Sequence, residues 1–408
     1  MLLRCVPLAA LLSVTLIASL RADGLIRDGV GPISGGRGGT NVAFADNAAI
    51  ILDNPAGMMN VLGTGLAEMG VDVCTSVVEY SDPFDSVRSH VRPLPMPNLG
   101  IIRKIDDRWA WGIGAFVPAG FSASYGEYTQ PPFGTNQMNA LGGMGKLLPA
   151  LSFRATERLS LGISVGLGVS YASFEGPLYM PEGNLAGAPA ILDMEGTGFA
   201  PVGSVGMQYR LTERTMIGAC YTEQSNFWLH GGTNATILLP GPFALSSHYD
   251  SKMKLKWPRS VSFGIKHDLC PHRRLSGDVI WYDWAHAFDG LEMFMYTPTN
   301  PMVQPILEGA GESLPVRQVL PLNWMNSVSM RLGYEEEVTD RDTLRFGYVY
   351  HSSPAPDSTL NPYLDGILQH TFSLGYSRKL PRRATFNVAY QYYFGDRRHV
   401  GTSSLPGG

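Results

Sequence analysis

Between Leu159 and Ala172 the chain alternates without a break. Leu159, Leu161, Ile163, Val165, Leu167, Val169 and Tyr171 fall on one face; Ser160, Gly162, Ser164, Gly166, Gly168, Ser170 and Ala172 fall on the other. A period of two sustained this far predicts an extended strand longer than the five or six residues usual in soluble sheets. A strand crossing a bilayer at a tilt needs ~9–11 residues, apolar toward lipid and small or polar inward. The pattern returns elsewhere. Phe386, Val388, Tyr390, Tyr392 and Phe394 alternate with Asn387, Ala389, Gln391 and Tyr393. Phe372, Leu374 and Tyr376 alternate with Thr371, Ser373, Gly375 and Ser377, and Trp109, Trp111, Ile113 and Val117 share a face around Gly112 and Gly114. Trp109, Trp281, Trp284, Tyr348 and Tyr350 stand near segment ends, where a membrane barrel carries its aromatic girdles.

Tight polar turns separate these segments at one end, among them Asp106-Asp107, Ala155-Thr156-Glu157-Arg158 and Val338-Thr339-Asp340-Arg341. At the other end the connections are long: about 80–96, 119–145, 175–197, 230–248, 286–322 and 352–368. Short turns on one rim and long loops on the other predict an all-β fold, a transmembrane antiparallel β-barrel. Strands are expected near 64–79, 97–105, 108–118, 146–154, 158–174, 198–210, 214–229, 249–269, 273–285, 323–337, 342–351, 369–379 and 384–394. That count is thirteen, and antiparallel closure prefers an even number, so the expectation is about fourteen.

Composition agrees with a membrane barrel. Charged residues make up 16% of the 408, against about 25% in soluble proteins, while 44% are hydrophobic, which excludes disorder. Forty-seven glycines and 29 prolines exclude a helical bundle. The net charge of −4, with no basic block, excludes a nucleic-acid partner. Residues 1–22 carry Arg4, an apolar run to Leu20 and small residues, the layout of a secretory signal peptide. With Cys5 inside that leader, Cys74, Cys220 and Cys270 remain, an odd number without metal-ligand spacing.

A Gly-rich stretch, 23–62, precedes the first strand, and it contains GGRGGTNVAFADNAAIILDNPAG. This stretch resembles the opening of the FadL family of outer-membrane long-chain fatty acid transporters, with Asn54-Pro55-Ala56-Gly57 as its motif. The resemblance runs on through GIGAFVPAGFSASYGE, LSFRATERLSLGISVGLGVSYASFEG, WPRSVSFGIKHDL, LSGDVIWYDWAHAFDGLE and LRFGYVYHSSPAPDSTLNPYLDG, in the family's order. It implies an N-terminal hatch (23–62) plugging a barrel (63–396), with residues 397–408 as a tail. It also implies a cell outer-membrane location and passage of long-chain fatty acids or other hydrophobic molecules. Exit would be lateral, at a kink in the third strand, for which Pro118 and Gly120 are the candidates. The family has fourteen strands; GDRRHVGTSSLPGG does not supply the last.

Four groups of residues are candidates for chemistry. Lys252, Lys254 and Lys256 alternate with Met253, Leu255 and Trp257. If the apolar set faces lipid, the ammonium groups form a carboxylate-attracting ladder in the lumen, since a lipid-facing Lys at the midplane costs ~2–4 kcal/mol. The alternative is a rim strand whose lysines meet headgroups or solvent. Arg154, on a small-residue face, is a second cation candidate. Leu291, Met293, Phe294, Met295, Met302, Ile306 and Leu307 make loop 286–322 apolar; it either offers a groove for a lipid tail, with Phe294 and Met295 as contacts, or packs its own core. Gly162-Ile163-Ser164-Val165-Gly166 matches a nucleophile elbow but sits mid-strand, so no catalytic residue is expected. No metal site, cofactor or enzyme activity is expected, and the chain reads as a monomer whose partners are its ligand and outer-membrane lipid. A lipid-acting enzyme and a structural or adhesive barrel are the other classes.

Overall fold

The computed structural model describes residues 25–239, 243–364, 366–395 and 397–405. The leader expected at 1–22, the first two residues expected in the hatch, and the last residue assigned to the barrel lie outside the described residues. An interior segment comes first and holds α1 (Pro32–Gly36), α2 (Ile50–Asp53) and a 3₁₀ turn (Pro55–Asn60). The wall then starts with β1 (Gly65–Cys74), an outer hairpin of β2 (Glu79–Ser81) and β3 (Ser86–Arg88), β4 (Leu94–Lys104), β5 (Trp109–Gln130) and β6 (Gly134–Arg154). It continues with β7 (Leu159–Tyr179), β8 (Pro189–Thr212), β9 (Thr215–Thr222), β10 (Ser225–Leu238), β11 (Ala244–Trp257) and β12 (Ser260–Cys270). Next come β13 (Arg273–Tyr282), α3 (Trp284–Ala287), β14 (Gly290–Tyr296), α4 (Val303–Gly309), β15 (Val316–Pro321) and β16 (Ser327–Glu337). The wall ends with β17 (Asp342–His351), β18 (Leu368–Lys379) and β19 (Thr385–Gly395).

Seventeen of these segments share one sheet. Four staves are interrupted, β9 with β10, β11 with β12, β13 with β14 and β15 with β16, so among the described residues the wall has the thirteen staves counted from the alternation and not the fourteen expected for closure. Every register is antiparallel. Among the described residues none joins β19 back to β1, which run in the same direction; an odd count leaves them so. The interior segment spans that seam. Arg27 pairs with Asp72 of β1 at 2.7 Å, and Gln391 of β19 donates to the carbonyls of Asp28 and Gly35 at 2.8 and 3.1 Å. Beyond β19 the tail turns to the long-loop rim, where Arg398 pairs with Asp357 and the Ser404 amide donates to the Ser358 carbonyl at 2.8 Å.

The wall sorts its side chains as the sequence suggests. Leu161, Ile163, Val165, Leu167 and Val169 are outward and exposed, while Ser160, Ser164 and Ser170 are buried inside. The short turns are closed by side chains: Asp106 accepts from the Arg108 and Trp109 amides, each at 2.7 Å, and Thr156 and Thr339 cap their own turns the same way. Three expected loops are corrected. Most of 119–145, 175–197 and 230–248 is ladder, because small residues such as Gly142 and Gly143 still pair (with Phe121 and Gly120) although they carry no hydrophobic signal. Trp284 is likewise no girdle residue. It is fully buried and packs edge-on against Phe288 and Trp324.

The interior segment fills the barrel at glycine positions. A Cβ on Gly206 would overlap the Asn54 carboxamide, one on Gly162 would overlap the Ala56 backbone, and one on Gly347 would overlap the Gly38 backbone. Gly206→Val is therefore expected to displace residues 42–56 and speed their amide hydrogen exchange at least tenfold. The outward substitution Val205→Ala should leave it unchanged; equal exchange in both variants would contradict this packing.

Candidate functional site

A chain inside a barrel must find partners for its backbone groups. Wall side chains supply them. The Asp278 carboxylate of β13 accepts from the Asn41 and Val42 amides at 2.7 and 3.1 Å, and Glu68 of β1 accepts from Ala48 at 2.7 Å. Gln208 of β8 donates to the carbonyls of Val42 and Phe44 at 3.0 and 2.8 Å. Asn54 caps the 3₁₀ turn by accepting from Ala56, and its amide donates to Val42 inside the plug and Met207 in the wall at 2.8 and 3.0 Å. The Asn-Pro motif is thus both a turn and an anchor. Pro55, Ala56 and Gly57 follow it, buried. Arg154, expected as a ligand contact, holds the Met59 carbonyl at 3.1 Å instead.

Charge adds to this anchoring. Arg37 is fully buried; it forks onto Asp46 at 2.7 and 2.9 Å, lies 3.6 Å from Glu335 of β16 and stacks 3.4 Å over the Phe44 ring. Enclosure works against the Asp46 charge, but the Arg37 guanidinium outweighs it and holds the carboxyl well below the usual carboxylate range. Asp28 is held low in the same way: burial opposes its charge, while His351 at 2.8 Å, Arg331 at 3.5 Å and the Thr371 hydroxyl at 2.6 Å favour it.

Pro118, the kink candidate, lies at an irregularity of the ladder. The β5–β6 register slips between Phe116 and Ala119, around Pro118. Into that bulge the first described residues dock by an isolated bridge of Ile26 to Ala119: the Arg27 amide donates to the Pro118 carbonyl and the Gly120 amide to the Leu25 carbonyl, each at 3.0 Å. The Arg27 guanidinium takes the Val117 carbonyl at 2.9 Å. Next to the bulge, β4 keeps its ladder with β1 from Leu94 but meets β5 only from Leu99 onward. Pro95 and Pro97 lie in the unpaired part, and a proline lacks the N–H that a ladder needs. The reading missed both, although two prolines within a strand signal a free edge.

Between plug and wall lies a cavity of about 100 Å³ that reaches this kink; Ile26, Asp53, Ala119, Lys146, Trp257 and Tyr282 are among its lining residues. Lys146 comes from β6, 8% exposed, with no hydrogen bond or ion pair to its ammonium among the described residues. It stands on the inward face between Met144 and Leu148, and the sequence reading did not single it out.

For the lysine row on β11 the lumenal ladder is corrected, and the outward-facing alternative is what the strand shows. Met253, Leu255 and Trp257 are the buried, inward set, and Lys252, Lys254 and Lys256 face out. The loop groove is corrected too. Met295 is buried in an outer cluster with Met180, Leu192, Ile237, Tyr249 and Leu307, and Phe294 lies outside against the Trp228 ring, centroids 6.1 Å apart. Ser164 shares a hydrogen bond with Ser204 at 2.8 Å. Among the described residues no group of His, Cys, Asp and Glu could hold a metal.

A lipid-facing antiparallel wall, filled by its own N-terminal segment and kinked beside an interior cavity, defines a plugged outer-membrane transport barrel. The chain belongs to the outer membrane protein transport family described as OMPP1/FadL/TodX, whose model matches residues 34–405. No curated protein matches the chain. Solved structures do. The toluene transporter TodX of Pseudomonas putida is 20% identical, covering 90% of this chain and 93% of its own, with a TM-score of 0.76. A FadL homologue of Pseudomonas aeruginosa is 16% identical, covering 92% of each, with a TM-score of 0.71. The toluene transporter TbuX of Ralstonia pickettii is 18% identical, covering 90% and 99%, with a TM-score of 0.73.

Arg37→Ala takes the guanidinium from Asp46 and should cost about 3–5 kcal/mol, the usual effect of halving a buried pair. Loss of heat-modifiable migration at a lower temperature than wild type would show it. A carboxyl held low stabilises fully above its ordinary pKa of ~4 and loses that stabilisation only as pH falls below it. The protease resistance of residues 25–62 should therefore be the same at pH 7 and pH 5; release in that window would contradict the pairing.

Proposed function

We propose that the protein is an uptake channel for long-chain fatty acids or related hydrophobic acids. One observation carries this reading: the Lys146 ammonium lines the interior cavity, which Asp53 also lines, and among the described residues it makes no ion pair or hydrogen bond. A buried ammonium without a hydrogen-bonded acid is costly, and a ligand carboxylate in direct contact would relieve that cost. The aromatic and aliphatic lining from Trp257, Tyr282, Ile280 and Met144 suits the first carbons of a tail. The cavity borders the bulge at Pro118, so a ligand leaving sideways there would enter the bilayer without crossing water. Leu25 to Arg27 occupy that bulge, and their withdrawal would open it. Transport down a gradient needs no covalent chemistry, and the protein would act as a monomer and not as an enzyme.

A second reading is a channel for neutral aromatic hydrocarbons, since two of the similar structures are toluene transporters. A cavity of about 100 Å³ is also nearer one ring than a whole acyl chain; ~150 Å³ of apolar space holds benzene elsewhere. Lys146 separates the readings. In cells expressing the gene, Lys146→Met should cut uptake of labelled oleate at least tenfold and leave labelled toluene uptake unchanged. Undiminished oleate uptake would overturn the fatty-acid reading, and equal oleate uptake with and without the gene would overturn it outright.

A further inference from the structure

Lys252, Lys254 and Lys256 project in a row from the outer surface of β11, with Met253, Leu255 and Trp257 buried behind them. The registers set His230, Trp228 and Asn226 of β10 beside them on one flank, and Phe294 and Glu292 of β14 on the other. Lys252 stands 5.5 Å from the Tyr296 ring and Lys254 5.6 Å from the Trp228 ring. The acids facing the row are few. Glu292 lies 3.9 Å from Lys254 but is held by Arg317 at 2.8 Å, and Asp250 accepts from the Thr297 hydroxyl at 2.6 Å. Lys256 donates to the His286 carbonyl at 3.2 Å, and Lys252 has no ion pair among the described residues.

Height on the barrel identifies what meets this row. Below it, the same stave turns Phe263, Ile265 and Leu269 to lipid. A tilted strand climbs ~2.5 Å per residue along the barrel axis, so an apolar band ~25 Å tall that starts at Leu269 ends near Arg259. The three ammonium groups then stand roughly 7 to 18 Å above the band, at headgroup depth, beside Trp228, an exposed interfacial aromatic.

We propose that the outer face of β10, β11 and β14 binds the phosphate groups of phosphorylated lipid in the outer leaflet. The ammonium groups pair with phosphate oxygens, and the Trp228 and Phe294 rings flank them at the same height. Continuity with the lipid-facing row of β12 favours a lipid over a soluble anion, because a lipid is anchored at that depth. The occupant is structural and is distinct from the transported ligand.

The test uses full-length protein in nanodiscs of phosphatidylcholine doped with a bisphosphorylated acylated glucosamine disaccharide, with retained lipid counted by native mass spectrometry. Wild type should retain it at least tenfold over the dephosphorylated disaccharide. The triple variant Lys252→Gln, Lys254→Gln, Lys256→Gln should lose that preference, and the triple Lys→Arg variant should keep it. Heat-modifiable migration reports folding, and Trp228→Leu, which keeps all charges, should lower retention severalfold as an independent check. Equal retention of both disaccharides by wild type, or undiminished preference in a folded Gln variant, would overturn the proposal. So would displacement by inorganic phosphate at matched concentration, which would show a site for a free anion.

Discussion

The structure depends on one requirement: a polypeptide placed inside a barrel must have its amides and carbonyls bonded by the wall. Asp278, Gln208, Glu68 and Asn54 meet that requirement at the centre, and Arg37 and Asp28 meet the accompanying charge. Each burial would be unfavourable alone, since a buried polar group without a partner costs more than its bond returns. Together they fix one position for the segment. The inward glycines follow from the same requirement, because backbone can approach a wall only where no Cβ stands.

This explains why the chain is poor in charge yet concentrates charge inside. The outer surface faces lipid, so it carries Leu, Ile, Val and Phe. The buried arginines and acids of β13, β16 and β17 converge on the plug: Arg345 reaches Glu335 at 2.5 Å, and Arg274 pairs with Glu335 and Glu337. Paired charges and side-chain bonds hold the plug together with an apolar core, in which Ile50, Ile51, Met58 and Met59 cluster with Ile102, Phe116 and Leu148 of the wall. The kink supplies the weak border: β5 bulges at Pro118, β4 breaks its ladder beside it, and the first plug residues fill the vacancy.

Much of this was legible in the sequence. Strict alternation from Leu159 to Ala172 located a stave, and thirteen such segments gave the wall its count. Pro118 and Asn54 were found because proline and Asn-Pro have few backbone meanings. What failed was the direction of faces beyond the membrane. On β11, Met253 and Trp257 look lipid-facing by their chemistry, yet above the bilayer the apolar side turns inward to pack the outer rim, so the lysines turn out. Loops rich in Gly, such as 142–145, hid their ladder for want of side chains. Lys146 is one polar residue between Met144 and Leu148, and that no acid is bonded to it among the described residues is a three-dimensional fact.

The central claim is that the interior segment occludes the barrel. Single-channel recording of the intact protein in planar bilayers tests it directly. The account predicts no sustained porin-like conductance from the native protein and a large steady conductance once residues 25–62 are deleted. A steady large-pore conductance from the native protein, unchanged by that deletion, would contradict it.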